Sequence, residues 1–170
     1  FDDPFRCQVK ERERCYYAPE HLDAARRVAR SSMVLLENRG GVLPLKEGSR
    51  IALVGPFADS RWDLIGSWVH FAEADRTSTF LDGLRARFGA DRVTYARGCD
   101  PHKALEGGIS EAVAAAAKSD VVLVALGLKA GESGEAASLA SLALPDAQRD
   151  LLESLKQTRK PIVILLVTGR

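Results

Sequence analysis

Two carboxylates, Glu132 and Glu135, stand close together in the stretch 127–138, which is otherwise rich in Gly, Ala and Ser. Small neighbours let a substrate approach the backbone and let a carboxylate project into a cleft, where it can give or take a proton. Set against that chemistry, a Glu in such a loop is more often simply solvated, because charged side chains stay exposed. The recurring glycines raise phosphate binding as a possible use. The Lys-Ser/Thr pair of a P-loop is missing, however, and two acids would repel an anion. His21, His70 and His102 show no partner pattern and read as ordinary surface or interface residues. Cys7, Cys15 and Cys99 are an odd set without metal spacing. They read as buried or incidental thiols, with a Cys7–Cys15 bridge left open for an exported protein. No cofactor or metal is expected.

The chain has 170 residues and a formal net charge of +1, so it is long enough for one domain with a proper core. Near-neutral charge argues against a nucleic-acid footprint, which needs basic excess or a clustered basic face. The basic run at Lys10, Arg12 and Arg14 alternates with Glu11 and Glu13 and reads as a solvated surface segment. No apolar run approaches the roughly 20 residues that cross a bilayer, so no membrane partner is expected. The opening Phe1-Asp2-Asp3-Pro4 has neither a basic n-region nor an apolar stretch behind it, and reads as a mid-protein cut or a processed end.

The loop needs elements to hold it. Residues 1–19 have no sustained period and read as a connector; a domain is expected over 20–170. Leu22, Ala25, Val28, Ala29, Met33 and Leu36 recur at helical spacing, which predicts a helix over 20–37 stopped by Gly40 and Gly41. An extended segment at 42–45 follows. Strands are predicted at 50–54, 92–96, 121–126 and 161–167, and helices at 77–88, 109–118 and from Pro145 to about Lys156. Short apolar strands alternating with helices predict an α/β fold, a three-layer αβα sandwich with a mostly parallel sheet. In such sheets ligands gather outside the carboxyl ends of the strands, which singles out the loops at 55–71 and 127–144. The second is long for a βα connection. The last strand has no helix after it, so one sheet face near it is expected to be uncovered and the domain incomplete at its C-terminal end.

Four segments, in this order, resemble the C-terminal domain of family 3 glycoside hydrolases, the β-glucosidase family. The first is Ala25-Arg26-Arg27-Val28-Ala29-Arg30-Ser31-Ser32-Met33-Val34-Leu35-Leu36-Glu37-Asn38 with Leu43-Pro44-Leu45. The second is Ile51-Ala52-Leu53-Val54-Gly55-Pro56-Phe57-Ala58-Asp59 with Gly66-Ser67-Trp68. The third is Gly134-Glu135-Ala136-Ala137-Ser138 with Leu144-Pro145 and Gln148, and the fourth runs from Lys160-Pro161-Ile162-Val163 to Gly169-Arg170. The opening Phe1-Asp2-Asp3-Pro4-Phe5-Arg6 also resembles the exit from such an enzyme's N-terminal barrel, so the likeness covers essentially the whole chain.

The resemblance implies a retaining, exo-acting β-glycosidase, foremost a β-glucosidase acting on a β-glucoside or oligosaccharide. It implies an aspartate nucleophile on a (β/α)8 barrel before Phe1, with the rest of the α/β domain after Arg170. Glu135 matches the family's acid/base position, and Trp68 matches a position where an indole stacks on sugar; core packing is the alternative for Trp68, and Glu132 the alternative for the acid/base. The family motif often continues with an Arg and then an Asp, where this chain has Leu139 and Ser141. A periplasmic or secreted location accords with the family, with a cytoplasmic one open. The competing reading is a stand-alone α/β binding module without activity. The coding sequence upstream of Phe1 separates the two.

Overall fold

The short β-forming runs of the sequence are the four strands of one parallel sheet in a computed structural model that describes Asp2 and residues 9–169. They are β1 (Ile51–Val54), β2 (Val93–Ala96), β3 (Val121–Gly127) and β4 (Ile162–Val167), in spatial order β2-β1-β3-β4. β1 pairs Ile51 with Val93 of β2 on one side and with Val121 of β3 on the other, and β3 pairs Val122 with Ile162 of β4. The chain divides into two units, Phe1–Gly40 and Gly41–Arg170. The first holds α1 (Val9–Cys15) and α2 (Pro19–Ser32). The second holds the sheet with α3 (Arg61–Ile65), α4 (Phe80–Phe88), α5 (Gly108–Ala117) and α6 (Asp146–Lys156).

Alternation along each strand divides the core between two faces. Ala52 and Val54 of β1, with Val122, Val124 and Leu126 of β3, meet Ala112, Ala115 and Ala116 of α5 and Leu151 and Leu155 of α6. Small alanines let α5 lie close to the sheet. Ile51, Leu53, Val121, Leu123 and Ala125 point the other way, onto Leu81 with Phe80, Leu84 and Phe88 of α4 and onto Val42 and Leu45. The result is the expected three-layer αβα arrangement. Each fully buried Leu, Ile or Val contributes about 1.5–3 kcal/mol relative to exposure, so the sheet layer dominates stability. β3 is buried throughout, as its unpatterned apolar composition predicts. On β4 the pattern breaks: Ile164 and Leu166 are each 48% exposed, so the sheet face beside α6 is open there, as expected.

Several boundaries differ from the sequence reading. α2 ends at Ser32, not near Glu37, and Met33 is extended at φ −72°, ψ 134°. The Ser32 hydroxyl donates to the Ala29 carbonyl at 2.9 Å, a local bond that competes with helix continuation. Residues 9–15 are helical within the stretch read as an unpatterned connector. Its exposed charges, Lys10, Glu11, Arg12 and Arg14, carry no apolar period to detect. α3 lies inside what reads as a loop after β1, and Pro145 caps α6 from just outside it. Cys15 is a free exposed thiol and Cys99 a free buried one, whose thiol burial pushes up to about 11; Cys7 lies outside the described residues. The Leu43–Pro44 peptide is cis.

Polar ties close the ends of the sheet. Gly127 ends β3 with φ 146°, and a Cβ there would lie 1.7 Å from the Val167 carbonyl oxygen. Only glycine permits that approach. Beyond the last β1 pairing, at Val54 and Val124, the buried amide of Gln148 takes over. Its Oε1 accepts from the Gly127 N–H at 2.8 Å, and its Nε2 donates to the carbonyls of Gly127 at 2.9 Å and Pro101 at 2.7 Å. At the opposite end Asp120 accepts from the Arg50 backbone N–H and guanidinium, both at 2.9 Å.

Two predictions follow from these ties. Gln148→Leu keeps the volume but leaves buried backbone groups without partners, each costing about 1–3 kcal/mol. Urea unfolding should show a loss of about 2–4 kcal/mol on that basis, and an unchanged midpoint would contradict this. The Arg50 side chain, followed by its backbone N–H, holds the Asp120 carboxyl down to about 2, below the unfolded value of about 3.9. A folded value lower than the unfolded one stabilises above the unfolded pKa and is lost as pH falls through the folded one. Asp120→Asn should therefore flatten the acid limb of the stability curve between about pH 4 and pH 2; a variant limb identical to the parent's would refute the assignment.

Candidate active-site face

The connections leave the centre of the sheet in opposite directions. From β1 the chain turns toward β2, and from β3 toward β4, so the carboxyl ends of β1 and β3 flank a topological switch point, where open α/β sheets bind ligands. The two loops there are those singled out by length and composition.

The loop after β3 begins with a 3₁₀ turn, Ala130–Glu132, and its two carboxylates have different surroundings. Glu132 Oε2 accepts from the Lys129 N–H at 2.7 Å, and Oε1 lies 2.7 Å from His102 Nε2. Both oxygens are engaged in holding the root of the loop. Glu135, beyond the turn, is exposed. The next residue, Ala136, is in the left-handed region at φ 58°, a conformation costly for a residue with a Cβ and found disproportionately at functional sites. Leu139 and Ser141 bring no charge to the loop; Ser141 Oγ accepts from the Ala143 N–H at 3.1 Å.

The loop after β1 carries the aromatics. Ser60 caps α3 and donates to Asp63 Oδ2 at 2.6 Å. Trp62 is 62% exposed, Trp68 69% and Phe71 94%. Trp68 thus lies on the surface of this domain, outside its two core clusters. The two loops meet at Gly134, where an added Cβ would stand 3.0 Å from Ser67 Oγ and 3.4 Å from Trp68 Nε1. Glu135, next in the chain, and Trp68 therefore belong to neighbouring pieces of one surface.

A cleft of about 380 Å³ opens beside the loop root, with Asp59, Asp63, Arg97, His102, Lys103 and Lys129 in its lining. Neither Glu135 nor Trp68 lines it. Sequence reasoning left His102 without a partner and passed over Asp63, although Ser60-x-x-Asp63 is the spacing of a helix cap. The pairing of His102 with Glu132 joins separate loops and has no local signature.

Residues 33–170 match the glycosyl hydrolase family 3 C-terminal domain. A periplasmic beta-glucosidase of Salmonella typhimurium is 38% identical over 88% of this chain, and a beta-xylosidase of Formosa agariphila is 30% identical over 89%. Each match spans 22% of the relative, so the chain covers about a fifth of the length of these curated relatives. The crystal structure of a beta-glucosidase from Listeria innocua superposes with a TM-score of 0.92 at 35% identity, over 99% of this chain and 23% of that one. With the fold, the motif order and these likenesses in agreement, the chain belongs to glycosyl hydrolase family 3, as its C-terminal domain.

Proposed function

We propose that this domain serves a retaining, exo-acting β-glycosidase, foremost a β-glucosidase, and that Glu135 is its general acid/base. The carrying observation is the contrast between the two loop carboxylates: Glu132 is engaged by Lys129 and His102, whereas Glu135 is exposed beside the loop of Trp68. In a retaining glycosidase two carboxyl groups stand about 5–5.5 Å apart, one attacking the anomeric carbon and the other protonating the leaving oxygen and then activating water. In this reading the nucleophile is an aspartate on an N-terminal (β/α)8 barrel, with residues 1–19 as the connector and 20–170 as the α/β domain. Exposed Trp62, Trp68, Val69 and Phe71 suit a surface that a neighbouring domain and a sugar would cover, since exposed apolar patches mark interaction sites. Covering the loop would also desolvate the acid, as proton retention at neutral pH requires. The names of the Salmonella and Listeria relatives favour β-glucosides as substrate and, for the former, a periplasmic setting.

Leaving groups test the assignment in the full-length enzyme. Glu135→Ala should lower kcat/KM for cellobiose by about 10²–10⁴-fold, the usual worth of general acid–base assistance, and change it little for dinitrophenyl glucoside, whose leaving group needs no proton. Azide should restore turnover of the activated substrate and yield a β-glycosyl azide. Glu132→Ala should show no rescue; if it does and Glu135→Ala does not, the acid/base is Glu132. For Trp68, replacement by Ala should raise KM for disaccharides while the folded enzyme keeps its thermal midpoint. A large drop in thermal midpoint with unchanged KM would oppose the stacking role.

A further inference from the structure

The loop that bears Glu135 has no regular structure beyond its first turn, yet a general acid must be held within a fraction of an ångström. A misplacement of about 1 Å can cost about 10²-fold in rate. The contact that could hold it comes from the other loop. Asp63 of α3 uses both carboxylate oxygens: Oδ2 accepts from the Ser60 hydroxyl at 2.6 Å, and Oδ1 accepts from the backbone N–H of Ala130 at 2.9 Å. Ala130 opens the 3₁₀ turn and is only 8% exposed, so without Asp63 its N–H would lose its partner in a largely buried place.

Asp63 itself has a firm base. Arg61, on the same short helix, pairs with Asp82 at 2.9 Å and donates to the Thr77 carbonyl. Asp82 and Thr79 form the capping box of α4, and the Thr79 hydroxyl donates to Asp59 at 2.9 Å. Polar contacts therefore tie α3 at Arg61 to the start of α4 and at Asp63 to the root of the acid loop. On the far side of that root His102 and the Lys129 N–H hold Glu132. The loop that Asp63 grips and the loop that Asp63 sits on carry Glu135 and Trp68 respectively.

We infer that Asp63 is a positioning residue, which by bridging Ser60 and the Ala130 N–H sets the Glu135 loop against the Trp68 loop so that the proton meets the glycosidic oxygen. This rests on the reading of Glu135 as acid/base. Asp63 touches no reacting atom in this scheme. Its role is as a hydrogen-bond acceptor, and a full negative charge is not needed. An Asn there keeps an acceptor oxygen toward Ala130 and turns its amide N–H toward the Ser60 oxygen.

The test uses the full-length enzyme with cellobiose and dinitrophenyl glucoside. Asp63→Ala should lower kcat/KM for cellobiose by about 10- to 100-fold and leave that for dinitrophenyl glucoside within about threefold, as expected when only protonation is disturbed. Asp63→Asn should recover most of the loss. Ser60→Ala, a milder change that frees one carboxylate oxygen, should move the same ratio in the same direction and serves if Asp63→Ala fails to fold. In a Glu135→Ala background, Asp63→Ala should add no further leaving-group dependence. Equal losses on both substrates, or a dependence that persists undiminished in that background, would assign Asp63 a structural role only. If Glu135→Ala alone shows no leaving-group dependence, the acid/base reading fails first and takes this inference with it. The two failures are therefore distinct.

Discussion

β1 and β3 lie side by side in parallel, from Ile51 with Val121 to Val54 with Val124, and the chain leaves their carboxyl ends in opposite directions. A right-handed crossover on each side puts the covering helices on opposite faces of the sheet, which leaves the space between the two departing loops unfilled. The remaining features answer that constraint. Residues of β1 and β3 are buried on both faces because helices lie on both, and the polar groups that the strands stop satisfying must find partners elsewhere.

The partners are side chains at the strand ends. Gln148 completes the backbone bonding of Gly127 and reaches the Pro101 carbonyl, so one buried amide joins α6, the end of β3 and the turn after β2. Each of its functions is matched, the condition under which a buried polar group does not cost stability. Asp120 and Arg50 perform a simpler version at the amino ends, exposed and correspondingly sensitive to pH. At the carboxyl ends the ties stop short of the exposed loop tips. A rigid sheet thereby holds the roots of two loops, while their outer parts keep apolar side chains and a carboxylate on the surface. That is how folds commonly carry function on loops set by a rigid frame.

The frame alone does not single out a sugar. Family members named for glucosides and for xylosides share this domain at similar coverage, so the αβα sandwich is common ground, and chemistry depends on the side chains placed on its loops. In this chain the loop after β3 has Leu139 and Ser141, where the resemblance implies an Arg and an Asp. At its root the loop is engaged through Ala130 and Glu132.

Periodicity and composition by themselves pointed to the fold class, the mostly parallel sheet and the two loops at its carboxyl ends. These follow from local rules: apolar runs too short for helices become strands, and strands alternating with helices mostly pair in parallel, because each helix carries the chain back over the sheet. Motif order was enough for the family, and with it for Glu135 and Trp68 as candidates. Tertiary structure alone gave neighbouring candidates their surroundings. Motif position favours Glu135 over Glu132 in the sequence, and the fold adds their surroundings: Glu132 is held by the Lys129 N–H and His102, and Glu135 is exposed. Trp68 could be core or surface by its sequence, and in this domain it is 69% exposed. Asp63 has only the spacing of a helix cap in the sequence, and the fold brings the Ala130 N–H to its second oxygen. The boundary lies where contacts become nonlocal: a sequence specifies which residues can hydrogen-bond or pack, and the crossing of chain segments distant in sequence selects which of them do.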